Sequence, residues 1–314
     1  MQYLKIINRI SLLFLAVLVS GKAISQNTSG KASHITYTKT DSIKVVGLLK
    51  EGREKFPNPG SKSERGQIML FYGHKLIDVP YVPATLEVNK TERLVINLHQ
   101  LDCTTFVETV FALALTTAQH SVKWDDYCAN LKRIRYEGGV MDGYASRNHY
   151  FLWWVESNRK QGLVSTPMDD FYSSGKRNMK TAVCKSQTIH IDWMTRYSSS
   201  YPMLKGNALA LNEISKHEKA SSGKKMMYIP HYNLGLSKNK MQWVNNGDIL
   251  AICTKKKGLD TTHIGIAEWG SDGKLHLLNA SQIHKKVVLE PMTLKEYMNH
   301  HPSQLGVWVI SPRL

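Results

Sequence analysis

Two residues far apart in the chain, Cys103 and His263, have the types and settings that nucleophilic catalysis needs. The thiolate is the reactive form of cysteine, and near neutral pH a thiol is mostly protonated. The first turn of a helix favours the charged form, because its unpaired amides and the helix dipole stabilise negative charge. Cys103 stands just ahead of Val107, Val110, Phe111 and Ala114, an apolar stripe at helical spacing within 101–115. Thr105-x-x-Glu108 has the spacing of a capping box that would open this helix. The same amides could receive the oxyanion formed when sulfur attacks an amide carbonyl. A lone cysteine at a helix start is more often structural, so the reading requires a base, usually a histidine, oriented by a third polar group. His263 opens the strand-like run Thr262-His263-Ile264-Gly265-Ile266-Ala267. Gly265 and Ala267 share its face and are small, which leaves room for a helix across the sheet. A core or surface histidine at a strand start is the plain alternative, since the chain has 13.

Other candidates carry less. His190-Ile191-Asp192 could be half of a zinc site, but no His-Glu-x-x-His accompanies it, so no metal and no cofactor is expected. Gly138-Gly139 lacks the strand-then-helix setting of a phosphate loop and reads as a turn. The aromatic segment 144–154 would line a cleft or fill a core equally well. Within it Arg147 is the candidate to bind a substrate carboxylate, because its planar fork matches one bidentately.

The elements that must position these residues are legible in outline. Ile43, Val46, Leu49 and Phe56 recur at helical spacing and Pro57-Asn58-Pro59-Gly60 ends that helix; a second is expected over 61–74. Two prolines make 78–83 irregular, and 93–98 has strand composition. A helix is expected over 124–135, then mixed structure to about 240. Strands follow at 247–252, 263–269, 275–280 and 305–310, the middle two joined by Gly270-Ser271-Asp272-Gly273. Helices gathered early and antiparallel strands gathered late give an α+β class.

The N-terminus indicates a compartment. Lys5 and Arg9 precede an apolar run from Ile10 to Val19, and Ala23-Ile24-Ser25 follows, the form of a secretory signal peptide over 1–25. The run falls short of the roughly 20 apolar residues that span a bilayer, and no later segment reads as a membrane span. The mature protein is expected to begin near Gln26 with a flexible stretch to residue 42, followed by a single catalytic domain over 43–314 with an insertion at about 138–240. It would act in the periplasm or be secreted. The formal charge of +16 would often signal nucleic acid. Export and the scattered lysines argue against that partner and toward acidic wall peptides, an anionic surface or simple solubility. Of Cys103, Cys128, Cys184 and Cys253, a free nucleophile leaves three, hence at most one disulfide.

The string Leu101-Asp102-Cys103-Thr104-Thr105-Phe106-Val107-Glu108 resembles the nucleophile motif of the NlpC superfamily of papain-like cell-wall hydrolases. There Asp-Cys-Ser-Gly-Phe opens the core helix; Thr104 and Thr105 replace the usual Ser and Gly. Gly247-Asp248-Ile249-Leu250 with His263-Ile264-Gly265-Ile266 is similar to the superfamily's paired strands, and Pro80-Tyr81 to its upstream motif, whose Tyr lines the cleft. The closer likeness, over about 79–312, is to a branch first catalogued as a domain of unknown function. Its characterised members are N-acetylmuramoyl-L-alanine amidases acting on anhydro-muropeptides. That likeness is visible in Pro80-Tyr81-Val82-x-x-Thr85-Leu86-Glu87, Arg135-Tyr136 and Arg147-x-His149-Tyr150. It implies a papain-like core, Cys103 as nucleophile, His263 as base, and Tyr81, Asp102, Thr104, His149 and Tyr150 beside the substrate. It also places the third catalytic residue on the strand after the histidine, at Asn279, where the family usually shows His. An asparagine can still accept a hydrogen bond from an imidazole N–H. Register offers a check, because an odd loop between the strands puts Asn279 on the face of His263 and an even one puts His276 there. Gly273 suits an odd, bulged loop, which favours Asn279 over His276.

Three functions compete on this reading. One is an exported cysteine amidase cutting the N-acetylmuramoyl-L-alanine bond of (anhydro-)muropeptides. The others are a cysteine endopeptidase cutting within the stem peptide and a non-catalytic wall-binding protein that kept the fold.

Overall fold

Because its apolar positions run almost all the way round, the helix that begins at Cys103 can be satisfied only by burial on every side. The computed structural model, which describes residues 34–60, 62–175 and 183–314, places it so. The first elements are β1 (Ile35–Thr36), α1 (Lys39–Lys55), α2 (Lys62–Lys75), β2 (Leu94–Val95), α3 (Cys103–Ala118) and α4 (Trp124–Arg135). Helices α1, α2 and α4 pack against α3, whose residues from Thr105 to Thr117 are all buried. The expected signal peptide lies outside the described residues. The expected flexible stretch 26–42 is ordered over its described part: Thr38 and Asp41 form the capping box of α1, and β1 pairs in parallel with β2. Asp41 also accepts from the Leu98 amide at 2.8 Å, which fixes this start against the core. The strand expected over 93–98 is confined to β2, because β1 offers it only two residues to pair with.

The middle of the chain holds α5 (Phe151–Lys160), β3 (Val164–Ser165), α6 (Pro167–Ser173), β4 (Lys185–Thr188), α7 (Trp193–Arg196), α8 (Ala208–Ser221) and β5 (Lys225–Pro230). Then come β6 (Ile249–Thr254), β7 (Thr261–Trp269), β8 (Leu275–Ser281), β9 (Lys286–Leu289), α9 (Leu294–Asn299) and β10 (Gln304–Pro312). The large sheet runs β4-β5-β10-β6-β7-β8-β9, antiparallel throughout, with β3 also paired to β10. The 138–240 region therefore adds three strands, β3, β4 and β5, to the same sheet. The final strand is internal to the sheet, between β5 and β6, and Val307, Val309 and Ile310 are fully buried.

The hairpin β7–β8 sets the register that matters. Trp269 pairs with Leu275, leaving the five residues 270–274 as an odd loop, with Gly273 at φ 72°. Ile266 opposes Leu278, so odd-numbered residues of both strands share one face. His263 and Asn279 lie on that face, and His276, opposite Glu268, lies on the other. Helix α3 packs against β7, as expected from the small residues of that strand, and Gly265 also accommodates the neighbouring strand. A Cβ on Gly265 would stand 2.8 Å from Leu277 Cδ1 and 2.9 Å from the Leu278 carbonyl oxygen. The neighbouring strand β8 thus approaches Gly265 too closely for a side chain there. Among the described residues no helix is long and apolar enough to cross a membrane.

Candidate active site

Helix α3 begins at Cys103, and its cap differs from the expected Thr105–Glu108 box. Asp102 is the N-cap: its carboxylate accepts from the Thr105 amide at 2.8 Å, and the Asp102 amide donates to the Thr105 hydroxyl at 2.9 Å. This puts Cys103 at the first helical position, where amides lack intrahelical partners. Glu108 lies one turn further in and is buried against Arg135, 2.7 Å from its Nε. Arg135 also donates to the Val95 carbonyl, tying α4 to β2.

Cys103 and His263 line one cleft of about 200 Å3. The amide of Ile264, the residue after His263, faces the Cys103 sulfur together with the Thr104 amide and hydroxyl. His263 Nε2 and Asn279 Oδ1 are 2.9 Å apart, and the Asn279 amide nitrogen donates to the Leu277 carbonyl. Asparagine oxygen only accepts, so Nε2 carries the proton and Nδ1 is left with its lone pair. His276 bonds the Glu290 carbonyl and Asp272 instead, away from His263.

Burial dominates the electrostatics. It pushes the Cys103 thiol up to about 12, with Asp102 adding to the rise and the Ile264 and Thr104 groups opposing it. Burial also lowers His263, a nearby His301 adds to that, and Asn279 partly offsets it. Burial thus opposes the thiolate that the helix start was expected to favour, and it favours the neutral form of both groups.

The other anticipated residues separate into two groups. Tyr81, tied by its amide to the Lys285 carbonyl and paired with Leu101, is held near the start of α3 but does not line the cleft. Thr104, His149 and Tyr150 line the cleft. His149 is held neutral, lowered to about 3 by burial and by Arg147, with Nε2 2.7 Å from the Tyr144 carbonyl oxygen. Asp102 and Arg147 do not line it. Asp102 is engaged as the cap. Arg147 is not available for a substrate carboxylate: its fork is buried between Glu92, at 2.6 and 3.0 Å, and Glu87, at 2.5 Å. The guanidinium also lies over the Tyr144 ring.

Sequence reasoning missed Trp193, Tyr201 and Asp260, which also line the cleft. Asp260 accepts from the Leu152 amide at 2.6 Å, capping α5 from across the fold, and from Thr261 at 2.7 Å. Trp193 and Tyr201 come from the 138–240 region, and no spacing in the sequence brings them to Cys103. All four cysteines are free. Asp192 pairs with Arg196, and His190 is exposed. Among the described residues no group of three or more His, Cys, Asp or Glu could hold a metal ion.

Residues 72–307 match a family model described as AmiA-like, N-acetylmuramoyl-L-alanine amidase-like. Among solved structures, an N-acetylmuramoyl-L-alanine amidase from Bacteroides uniformis is 33% identical over 80% of this chain and 100% of its own, with a TM-score of 0.72. A candidate xylanase from Bacteroides fragilis is 36% identical over 76% of this chain and 98% of its own, with a TM-score of 0.66. A Legionella pneumophila protein of the family DUF1460 shares the fold at 19% identity, over 88% of this chain and 95% of its own, with a TM-score of 0.65. No curated protein sequence matches the chain.

Proposed function

The chain belongs to the AmiA-like, N-acetylmuramoyl-L-alanine amidase-like family, and from that premise we propose that it is an exported cysteine amidase. Its substrate is the amide between the lactyl group of N-acetylmuramic acid and L-alanine in (anhydro-)muropeptides. The observation that carries the cysteine mechanism is the bond from His263 Nε2 to Asn279 Oδ1 in the cleft that Cys103 lines. It leaves the free nitrogen lone pair on the imidazole that shares the cleft with the sulfur. A papain-like, NlpC-type core is the arrangement this corresponds to.

Because both groups start neutral, the thiol is not pre-ionised. Cys103 Sγ attacks the lactyl carbonyl carbon as its proton passes to His263 Nδ1. Asn279 holds the ring and stabilises the imidazolium that forms. The amides of the α3 first turn stabilise the developing oxyanion. Collapse breaks the C–N bond, and His263 returns the proton to the leaving L-alanine amine. Water, deprotonated by His263, then hydrolyses the thioester and releases the muramoyl carboxylate and the thiol.

The xylanase description of the Bacteroides fragilis relative does not suit this cleft. Glycoside hydrolysis uses two carboxyl groups about 5 to 9.5 Å apart across the sugar bond. Of the described residues lining the cleft only Asp260 is acidic, and backbone amides occupy it. The amidase reading is tested by digesting purified anhydro- and reduced muropeptides with mass detection of products. Wild type should release the intact stem peptide, and Cys103→Ala should lose more than about 10^4-fold in kcat/KM. Cleavage within the stem would establish an endopeptidase instead. Full activity in Cys103→Ala would rule out the cysteine mechanism.

A further inference from the structure

Two unlike sets of residues line the cleft: Cys103, Thr104 and His263 from α3 and β7, and the aromatic Phe151, Trp154, Trp193 and Tyr201 with Met194 from the 138–240 region. Among the described residues no Lys or Arg lines the cleft, and the one carboxylate lining it, Asp260, is held by the Leu152 and Thr261 amides. A muropeptide has one neutral end, the sugar ring with its acetamido group, and one charged end, the stem peptide with its carboxylates. An uncharged aromatic wall matches the first and offers nothing to the second. Trp193 and Tyr201 are partly exposed, so their faces are available to a ligand, whereas Trp154 is 1% exposed and acts as backing.

The wall is also fixed in place. The Asp192 and Trp193 amides both donate to the Gly258 carbonyl at 3.2 Å, stitching this wall to the loop that leads into β7 and His263. A side chain at Gly258 would collide with Asp192, 2.3 Å from its Oδ1, and φ there is 86°. On the other flank, buried Glu218 of α8 accepts from the Met194 amide at 3.1 Å, the Thr195 amide at 3.2 Å and the Tyr150 hydroxyl at 2.6 Å. Tyr197 supports the indole, their ring centroids 4.5 Å apart. A platform held at both ends loses little freedom when a ligand settles on it.

We propose that Trp193, with Tyr201, is the specificity-determining platform on which the sugar ring of the substrate stacks, placing the lactyl carbonyl before Cys103. The proposal rests on the amidase reading and adds the side of the cleft on which the glycan end lies. The stem peptide then leaves the cleft away from α7.

Two substrates separate the ideas: an N-acetylmuramoyl peptide and the matching D-lactoyl peptide, which keeps the scissile amide but lacks the ring. Wild type should prefer the first, and Trp193→Ala should reduce the ratio of the two kcat/KM values by about tenfold. Trp193→Phe, which keeps an aromatic face, should retain most of the ratio. A ratio unchanged in Trp193→Ala, even if both rates fall, overturns the platform and leaves the amidase reading standing. A second measurement does not need turnover. N-acetylmuramic acid alone should quench tryptophan fluorescence in the Cys103→Ala protein, and Trp193→Phe in that background should remove the change. Quenching without any hydrolysis by wild type would sustain the platform while the amidase reading falls. Absence of a Trp193-dependent change overturns the platform.

Discussion

At the scale of single residues, the site is governed by how burial treats charge. A thiol and an imidazole in a protein interior both lose the charged form, since desolvation penalises it on either group. Cys103 is pushed up to about 12 and His263 is pushed below its ordinary value. For the reaction proposed, this has a definite pH consequence. The base must be neutral, and a lowered imidazole stays neutral to lower pH. The acidic limb of kcat/KM should therefore lie below about 6.5, the ordinary histidine value. Asn279 is the group that raises His263, so Asn279→Ala should move that limb lower still. It should also reduce kcat/KM on the order of 10²-fold, because the ring is no longer oriented. A pH–rate profile of both proteins measures the two effects together; a limb above 6.5 in wild type would contradict the neutral resting pair. These residue types were legible in the sequence, and Cys103 and His263 stood out by their settings. The sign of the charge balance was not, because helix-start position argues for a thiolate and only the surrounding atoms reveal that burial wins.

At the scale of elements, Cys103 depends on how α3 begins. The Asp102–Thr105 box sets Cys103 as the first helical residue. Asp102→Ala should lower stability by about 1 kcal/mol, the usual worth of an N-cap, and should fray the turn that holds the sulfur. Chemical denaturation reads the first effect, and a drop in kcat reads the second. A variant with wild-type stability would show that the cap is dispensable. The helix itself was evident from its apolar stripe, but its box was read three residues too far along the chain, at Thr105–Glu108. Both spacings satisfy the pattern, and Glu108 is diverted by Arg135, a partner 27 positions away. The β7–β8 hairpin is the opposite case. The family motif together with a glycine-containing turn favoured Asn279 over His276, and the odd loop puts Asn279 on the His263 face because side chains alternate along a strand.

At the scale of the whole molecule, buried charge networks join segments that the sequence leaves unrelated. Arg147, from the turn before α5, is clasped by Glu87 and Glu92 from the loop around β2. Its guanidinium was a reasonable substrate ligand on chemistry alone, and its burial among carboxylates removes it from that role. Arg147→Ala would leave Glu92 buried without its counter-charge and should cost about 3–5 kcal/mol of stability. Urea denaturation gives that loss directly. If instead stability held and KM rose, Arg147 would belong to substrate binding after all. The same scale explains the 138–240 region, whose β4 and β5 extend the large sheet and whose α7 brings Trp193 to the cleft.

The sequence by itself determined what depends on neighbours along the chain: the apolar helix behind Cys103, the late antiparallel strands and the odd hairpin loop. Short-range periodicity and turn chemistry are written in consecutive residues, so they can be read there. Tertiary structure alone decided which charged groups are free, which are clasped, and which aromatic residues of the middle region reach the cleft. Those outcomes depend on burial and on contacts between residues dozens of positions apart, and no local pattern encodes them.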